Sequence, residues 1–467
     1  MPRGRLQLFF LLLALLLSSR FSSAQTANAR LKGVIFDPSG AVVTGAEVSL
    51  VNTSTRAQAK TSSTSEGYFV FLSLQPGLYT LHVKASGFHD SVIPNLEINL
   101  GATLLQDVNL EIGDITEHVE VRAKQEHVQT SDSVIERAVT PRDNQSLPQP
   151  QKEPLELVVF SPGVQIDPDD PTLSRVNGTR MGSNDTRLDG IDVSDPSTPR
   201  LMLSNNAINT DSIQEFRIVT AGGKAEYGRN AGGQIQLITR RGTNSWHGNM
   251  FEYHRNAAFN ANTFFGNASG LPKPVYIQNI FGASLGGPIR HDRTFVFGNY
   301  QGRRNAQQVI RDRLVLTREA KAGVFRWKTP GSSEIHSFDI VGNDPRGIGI
   351  DPKVAEILKL LPDPNNDDIG DGLNTAGFRF NNPGISSAGE IPEDQFTVRA
   401  DHTLWSGHHL FFRWAWHRRS FIDAVTNNDA RFPGQPSGTQ GGRNWCYSIV
   451  HRQNTTHWGH LRQVDTP

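Results

Sequence analysis

Glycine and short polar side chains interrupt the middle of the chain so often that long regular elements are not expected there. Between residues 176 and 241, short apolar stretches alternate with glycines and with Asn or Asp. Glycine supplies the tight turns with positive φ that such a segment needs. The stretches 215–220 and 234–239 contain several β-branched or aromatic residues and predict short strands.

Composition limits the class of protein. A chain of 467 residues is long enough for two to four domains of ~100–200 residues each. Its 46 basic and 46 acidic side chains balance, and no basic face emerges, which argues against nucleic acid as a partner. The single cysteine, Cys446, excludes an intramolecular disulfide and any zinc site built from several cysteines.

The N-terminus has the pattern of an export signal. Arg3 and Arg5 precede an apolar run at residues 8–17, and Ser22-Ser23-Ala24 offers small residues for cleavage. The run is shorter than the ~20 residues that a membrane-spanning helix needs. We therefore expect residues 1–24 to be a cleaved signal peptide and any membrane insertion to use strands.

The next segment, residues 29–112, predicts a small β-sandwich. About seven short strands are separated by turn signals such as Asp37-Pro38-Ser39-Gly40 and Gln75-Pro76-Gly77. In one of them Tyr79, Leu81 and Val83 alternate with polar residues, which predicts one buried face. The expected strands are 31–36, 46–51, 58–62, 68–72, 78–85, 96–100 and 106–110.

Three groups of residues in this segment resemble the carboxypeptidase regulatory-like domain. They are Gly33-Val34 with the turn after it, Gly67-Tyr68-Phe69, and Leu74-Gln75-Pro76-Gly77-Leu78-Tyr79. The resemblance implies a transthyretin-like or carbohydrate-binding-like β-sandwich without enzymatic activity of its own.

After residue 242 the predicted strands become longer and amphipathic. Residues 275–285 alternate except at Asn279 and Ile280, Gly286-Gly287-Pro288 predicts a turn, and 294–301 returns. Strands of ~10 residues with one apolar face are typical of an outer-membrane barrel. A soluble sandwich gives the same alternation, but the charges opposite the apolar face at Arg399, Asp401 and Arg413 favour the barrel. Residues 320–388 predict a large external loop with one short helix at 353–361.

Motifs of the middle segment resemble the plug domain of TonB-dependent outer-membrane transporters, and the chain is similar to their Oar-like subgroup. The motifs are Val176-Asn177-Gly178-Thr179-Arg180, then 187–193 (RLDGIDV), 211–219 (DSIQEFRIV) and 225–235 (AEYGRNAGGQI). The fold class is therefore expected to be mainly β, with an N-terminal sandwich, a plug at 151–242 and a partial antiparallel outer-membrane barrel at 243–440.

The resemblance also implies location, partners and contacts. It places the protein in the outer membrane of a Gram-negative cell, in contact with lipid and with a TonB-type periplasmic energy transducer. The extracellular ligand stays open between glycan, siderophore, peptide and protein. Arg180, Arg187, Asp189 and Asp192 lie among glycine turns, and we expect them to hold the plug by hydrogen bonds to inward polar residues of the barrel.

The linker 113–150 contains an alternating stretch with two interpretations. Glu117-His118-Val119-Glu120-Val121-Arg122-Ala123 is similar to a TonB box, which the transducer would grip by strand addition. The same pattern fits the last strand of the sandwich. Pro141, Pro148, Pro150 and Pro154 follow and predict an extended chain.

The length of the chain limits the number of barrel strands. A plugged transporter barrel has ~22 strands, but the residues after Gly242 suffice for roughly ten. Beyond residue 441 little strand character is expected, so residues 441–467 are interpreted as an anomalous tail of a truncated or frameshifted product.

No catalytic, metal or cofactor motif withstands comparison with its structural requirements. Gly282-Ala283-Ser284-Leu285-Gly286 matches a nucleophile elbow but lies within a predicted strand. The acidic run from Asp363 lacks the Gly and Glu of an EF-hand and fits a solvated loop better than a calcium site. The sequence predicts no enzyme and no cofactor, and the alternative to transport is an exported carbohydrate- or surface-binding protein or adhesin.

Overall fold

The computed structural model describes most of the chain after the predicted signal peptide. The described ranges are 29–113, 118–120, 134–139, 152–167, 173–180, 182–194, 208–223, 231–262, 272–307, 309–382, 391–405, 408–421 and 440–453, with single residues between them. The predicted signal peptide 1–24 lies outside these ranges, as do Glu117 and residues 121–123. No helix in the described ranges has the length and apolar character needed to cross a membrane.

The N-terminal segment is a two-sheet sandwich. One sheet has the order β4-β1-β7, with β8 also on β1, and the other has the order β3-β2-β5-β6-β9. Its core joins both sheets through residues such as Leu31, Phe71 and Leu81, which are 0 to 1% exposed. The strands are β1 (Ala29–Phe36), β2 (Glu47–Asn52), β3 (Gln58–Ser62), β4 (Tyr68–Leu74), β5 (Gly77–Lys84), β6 (Asp90–Ile98), β7 (Thr103–Leu105), β8 (Val108–Asn109) and β9 (His118–Glu120).

The predicted sandwich is confirmed, with two local differences. The strand expected at 96–100 begins already at Asp90, and the one expected at 106–110 is divided into β7 and β8. The division has a side-chain cause, because the carboxylate of Asp107 accepts the Val34 N–H at 2.9 Å, in place of a main-chain acceptor.

The middle of the chain forms a separate small sheet, which we call the central unit (135–239). Its order is β10-β15-β16-β13-β14, and its core includes Leu188, Phe216 and Ile235. The elements are β10 (Ile135–Val139), a 3-10 helix (Pro154–Phe160), β11 (Val164–Gln165), β12 (Arg175–Val176), β13 (Asp185–Leu188), β14 (Ile191–Asp192), a 3-10 turn (Thr210–Ser212), β15 (Ile213–Ala221) and β16 (Gln234–Thr239).

A six-stranded antiparallel sheet, the long sheet, follows in the order β17-β18-β19-β24-β25-β26. Among the described strands it is open, with β17 and β26 as its edges. The elements after residue 246 are β17 (His247–Asn256), a 3-10 turn (Ala257–Phe259), β18 (Tyr276–Arg290), β19 (Thr294–Gln307), β20 (Val309–Leu316), α1 (Arg318–Lys321), β21 (Val324–Lys328), β22 (Ile335–Asp339), α2 (Pro352–Leu360), β23 (Thr375–Asn382), β24 (Ile391–Trp405), β25 (His408–Phe421) and β26 (Gln440–Gln453).

The two faces of the long sheet differ in polarity, as the alternation predicts. On β24, Gln395, Thr397 and Arg399 are buried, whereas Phe396 lies on the opposite face and is 41% exposed. On β25, Arg413 is buried and Phe412 is 39% exposed. The buried polar face covers the central unit and leaves the aromatic face outside, which is the polarity expected of a barrel wall.

Residues Gly286-Gly287-Pro288 do not form the expected turn. Strand β18 continues through them to Arg290, and the turn follows at 291–293. The glycines serve close packing, since a Cβ on Gly287 would lie 2.3 Å from the Trp246 ring. Asn279 and Ile280 do not interrupt the strand either, because both pair with β17 and β19 in register.

The expectation of little strand character after residue 441 is wrong for the residues described there. Strand β26 pairs with β25 without a break from His408↔Gln453 to Phe421↔Gln440. Glycines and polar residues near its start hide the pattern, while the backbone ladder needs only a neighbouring strand.

The expected external loop at 320–388 contains more structure than one helix. The helix expected at 353–361 is α2, but β20 pairs with β23 and β21 pairs with β22. This excursion joins β19 to β24 at one end of the long sheet. Short turns lie at the other end, where the sandwich also docks through the Asn244 N–H and the Ser54 carbonyl at 3.0 Å.

Candidate functional site

A two-residue hairpin aims one carboxylate of the central unit at the long sheet. Asp189 and Gly190 join β13 to β14 with φ values of 54° and 89°, and Leu188 pairs with Ile191. Positive φ at both central residues is the type I′ geometry that Asp-Gly favours. The Asp189 side chain is 0% exposed, so this turn places a carboxylate inside the protein.

Two arginines of the long sheet meet this carboxylate. Arg399 on β24 donates from Nη1 to Asp189 Oδ1 at 3.0 Å, and Arg413 Nε on β25 lies 3.0 Å from Asp189 Oδ2. Thr239 of β16 adds its N–H at 3.1 Å and its hydroxyl at 2.9 Å. The carboxylate thus joins two strands of the central unit to two strands of the long sheet.

The arginines need this anion because of their register. Arg399 and Arg413 are direct cross-strand partners on one face, a position in which like charges repel. Asp401 takes the other edge of Arg399 in a bidentate pair, with both distances 2.8 Å. With Asp189 and Asp401 against two guanidinium groups, the buried cluster is neutral, which is the condition for burying charge.

The protonation state of Asp189 follows from the same contacts. Burial alone would raise its pKa, but Arg399 and Arg413, with the hydrogen bonds from Thr239, hold the pKa of Asp189 below its ordinary value. The carboxylate is therefore ionised at neutral pH, and the ion pairs persist there.

Other polar contacts follow the same face of the long sheet. Asn209 donates from Nδ2 to Asn299 Oδ1 at 2.8 Å and to Gln395 Oε1 at 3.2 Å. Asn249 donates to Asp211 Oδ1 at 2.8 Å. These residues were not singled out from the sequence. The pattern N-x-x-S at 209–212 could have indicated Asn209 as a capping residue, which the structure shows it to be.

The four residues expected to hold the plug occupy different environments. Asp189 reaches the long sheet as described. Arg187 donates from Nε to Asp185 Oδ2 at 2.6 Å and so pairs within the central unit. Asp192 is exposed and accepts the Ser194 N–H at 2.9 Å, and Arg180 is exposed in a turn.

The stretch Glu117 to Ala123 is described at three of its residues. His118, Val119 and Glu120 form β9, which lies parallel to Asp90, Ser91 and Val92 at the edge of the sandwich. The other residues, Glu117, Val121, Arg122 and Ala123, lie outside the described ranges. This short edge strand has the position that the sandwich-strand interpretation requires.

The acidic run and the serine motif have structural contacts. Asp363 pairs with Arg318 at 2.9 Å and with Lys321 at 3.0 Å. Asp371 accepts three backbone N–H groups at 2.8 Å, and those hydrogen bonds lower its pKa. Ser284 lies inside β18 and hydrogen-bonds Asn249. Within the described ranges no group of three potential metal ligands occurs.

Family models match both ends of this arrangement. Residues 30–111 match the carboxypeptidase regulatory-like domain, and residues 238–457 match the outer membrane β-barrel domain. The second match covers the long sheet and includes β26. The chain therefore carries a carboxypeptidase regulatory-like sandwich followed by strands of an outer-membrane barrel.

A curated relative of this chain is a TonB-dependent transporter. The TonB-dependent transporter Oar of Myxococcus xanthus is 26% identical over 258 residues, which are 50% of this chain and 23% of that protein. This chain is thus a relative of the Oar TonB-dependent transporter. It spans about a quarter of the length of that relative.

Solved outer-membrane receptors are similar to a larger part of the chain at lower identity. The transporter YddB of Escherichia coli is 14% identical and has a TM-score of 0.34, over 68% of this chain and 44% of that one. The siderophore receptor PirA of Acinetobacter baumannii is 13% identical and has a TM-score of 0.32, with the same coverage.

Proposed function

We propose that this chain is a component of TonB-dependent, energy-coupled uptake of a ligand across the outer membrane. The central unit is the plug, and the long sheet is part of the barrel wall around it. A TonB-type periplasmic transducer grips the segment Glu117 to Ala123, and pulling on it shifts the plug. The ligand is a molecule such as a glycan, siderophore or peptide.

The observation that carries the proposal is the carboxylate of Asp189 between Arg399 and Arg413. A plug must be held firmly yet remain separable from the wall. Side-chain contacts to a polar wall meet this need, because water can replace them when the plug moves. A dry apolar interface would lose its free energy on exposure to water. The hydrogen bonds of Asn209 and Asp211 have the same character.

The gripped segment is suited to strand addition. Strand β9 is three residues long and lies at the edge of its sheet, so few hydrogen bonds must be broken to detach it. Its connection to the central unit is the stretch 121–134, which leads directly into β10. Force applied there reaches β10, the edge strand of the central sheet.

Binding of the periplasmic domain of a TonB-type transducer to the full-length protein in detergent tests the proposal. Strand addition depends on main-chain donors and acceptors, so Val119→Pro is expected to weaken binding by at least about tenfold. The matched variant Val119→Thr keeps a strand-forming residue and is expected to bind as the parent does. Equal binding by all three proteins, or no binding by the parent, would refute energy coupling through this segment.

A further inference from the structure

A second carboxyl group of the central unit is buried without a matching cation. Glu215 on β15 is 4% exposed, and its Oε1 accepts the Leu100 N–H of the sandwich at 2.8 Å. Among the described residues, none with a positive charge forms an ion pair with it. Within the described ranges, the hydrogen bond that this carboxyl accepts comes from a different domain, from the turn between β6 and β7.

That turn packs against side chains of β15. Gly101 has φ +66°, and a Cβ there would lie 2.1 Å from Arg217 Nη1, so the turn backbone lies close against the Arg217 side chain of β15. Leu100 is 1% exposed and belongs to neither hydrophobic core. Turn residues 99–102 thus pack over the side chains of both Glu215 and Arg217.

Three other described hydrogen bonds also attach the sandwich. Gln214 donates to the Pro76 carbonyl at 3.4 Å, Arg241 donates to the Gln75 side chain, and Asn244 donates to the Ser54 carbonyl. None of these groups is a carboxylate. The attachment at Glu215 is therefore the one among these contacts whose charge can change near neutral pH.

The charged groups around Glu215 all disfavour its ionised form or are already paired. Burial raises the pKa of Glu215 to about 8, and the nearby carboxylate of Glu97 on β6 adds to the rise. Arg217, on the same strand, is paired with Glu136 of β10. The Leu100 N–H lowers the pKa but does not offset the burial.

We infer that the turn at Leu100 and Gly101 latches the sandwich onto the central unit, and that ionisation of Glu215 loosens this latch. A neutral carboxyl still accepts the Leu100 N–H and tolerates burial. An ionised carboxylate is more stable in water, and Glu215 reaches water only when the turn moves away from β15. The latch thus holds the sandwich on the central unit in acid and weakens in base.

Proton linkage gives the pH range over which docking of the sandwich weakens. Detached, Glu215 is in water with its ordinary pKa of 4.5, and docked its pKa is about 8. Docking is therefore unaffected below the first value and weakens by up to about tenfold for each pH unit above it. The weakening ends near the second value, where both forms are ionised.

The inference rests on the proposed function only for its consequence. If the central unit is a plug, the latched sandwich hinders its displacement, and the released sandwich exposes the periplasmic side of β15. The latch itself is a property of two domains that the structure shows in contact.

Hydrogen–deuterium exchange of the full-length protein tests it, read as protection factors for peptides covering residues 96–105. Between about pH 5 and about pH 9 the parent is expected to lose about a hundred- to thousandfold of its protection. Glu215→Gln cannot ionise and should keep the low-pH protection throughout. Glu47→Gln changes an exposed carboxylate of the sandwich and should behave as the parent does.

Protection that stays constant in the parent, or falls equally in Glu215→Gln, would overturn the latch. If Glu215→Gln does not fold, Glu215→Ala serves in its place, since it also has no titrating group and must show no pH response. Failure of transducer binding leaves these readings unchanged, so the two proposals fail separately.

Discussion

Asp189 and Glu215 are buried carboxyl groups at the two interfaces of the central unit, and they have opposite kinds of neighbours. Asp189, facing the long sheet, has two guanidinium partners and two donors from Thr239. Glu215, facing the sandwich, has one backbone N–H and a neighbouring carboxylate. Burial is nearly complete in both, so the partners and not the depth decide the charge state.

The difference separates a contact that does not depend on pH across the neutral range from one that does. An ionised group paired with fixed cations keeps its contacts across the neutral range. A neutral carboxyl with one hydrogen bond loses its place once it ionises. The same small sheet is therefore tied firmly to the wall and conditionally to the sandwich.

Removing Asp189 should have the largest effect. Asp189→Ala leaves Arg399 and Arg413 opposite each other in a buried site, and the free energy of unfolding is expected to fall by about 3–5 kcal/mol. Urea unfolding of the folded protein in detergent measures it. Asp192→Ala, in the same hairpin but exposed, should cost less than about 1 kcal/mol. Similar losses in both variants would mean that the hairpin, and not the ion pairs, carries the stability.

Changing the geometry of the cation at constant charge is expected to have a smaller effect. Arg399→Lys keeps one positive charge but cannot bind Asp401 bidentately and reach Asp189 together. A loss of about 2–3 kcal/mol in unfolding free energy is expected, the range for hydrogen bonds to charged groups. Arg418→Lys on the exposed face of β25 is the control and should be neutral. An unaffected Arg399→Lys would show that charge alone, without fork geometry, holds the central unit.

The two interfaces should respond differently to acid. The pKa of Asp189 is lowered, so its contribution is full above the ordinary value of 3.8 and is lost only as pH falls below it. Between about pH 8 and about pH 5 the exchange protection of peptides around Thr239 should therefore stay constant, while that of residues 96–105 rises. Parallel changes in both peptides would contradict the assignment of separate charge states.

Much of this organisation is readable from the sequence, because it depends on local patterns. Alternation predicts the sandwich and the two faces of the long sheet, and the inward charges Arg399, Asp401 and Arg413 stand out against an apolar pattern. The turn at Asp189 depends on adjacent residues alone. Strand β26 escapes prediction because a neighbouring ladder, and not its own alternation, makes it a strand.

Pairings between distant residues are harder to foresee. Asp189 and Arg399 are separated by many elements, and nothing in the local sequence states that they meet. Glu215 lies in an alternating strand where a carboxylate is unremarkable, and its burial depends on where the sandwich docks. Gly286 and Gly287 suggest a turn, whereas both lie within a strand and Gly287 lets the Trp246 ring approach the sheet.

The smallest effect is expected at the amide contacts between the central unit and the long sheet. Asn209 both caps the 3-10 turn through Oδ1, at 2.9 Å from Ser212 N, and reaches Asn299 and Gln395 through Nδ2. Asn209→Ser keeps the cap, since serine caps as well as asparagine, but is too short to reach the sheet. A loss of about 1–2 kcal/mol in unfolding free energy is expected, because two buried oxygens lose a donor.

Asn256→Ser is the matched control for that change. Asn256 also caps a 3-10 turn, accepting the Ala258 N–H at 2.9 Å, at an exposed site. The same substitution there should change the unfolding free energy by less than about 0.5 kcal/mol. If both serine variants cost the same, the amide bridge of Asn209 contributes nothing to holding the central unit on the long sheet. If Asn209→Ser alone is costly, the polar contacts along the wall add to those ion pairs, and the interface is distributed over the strands.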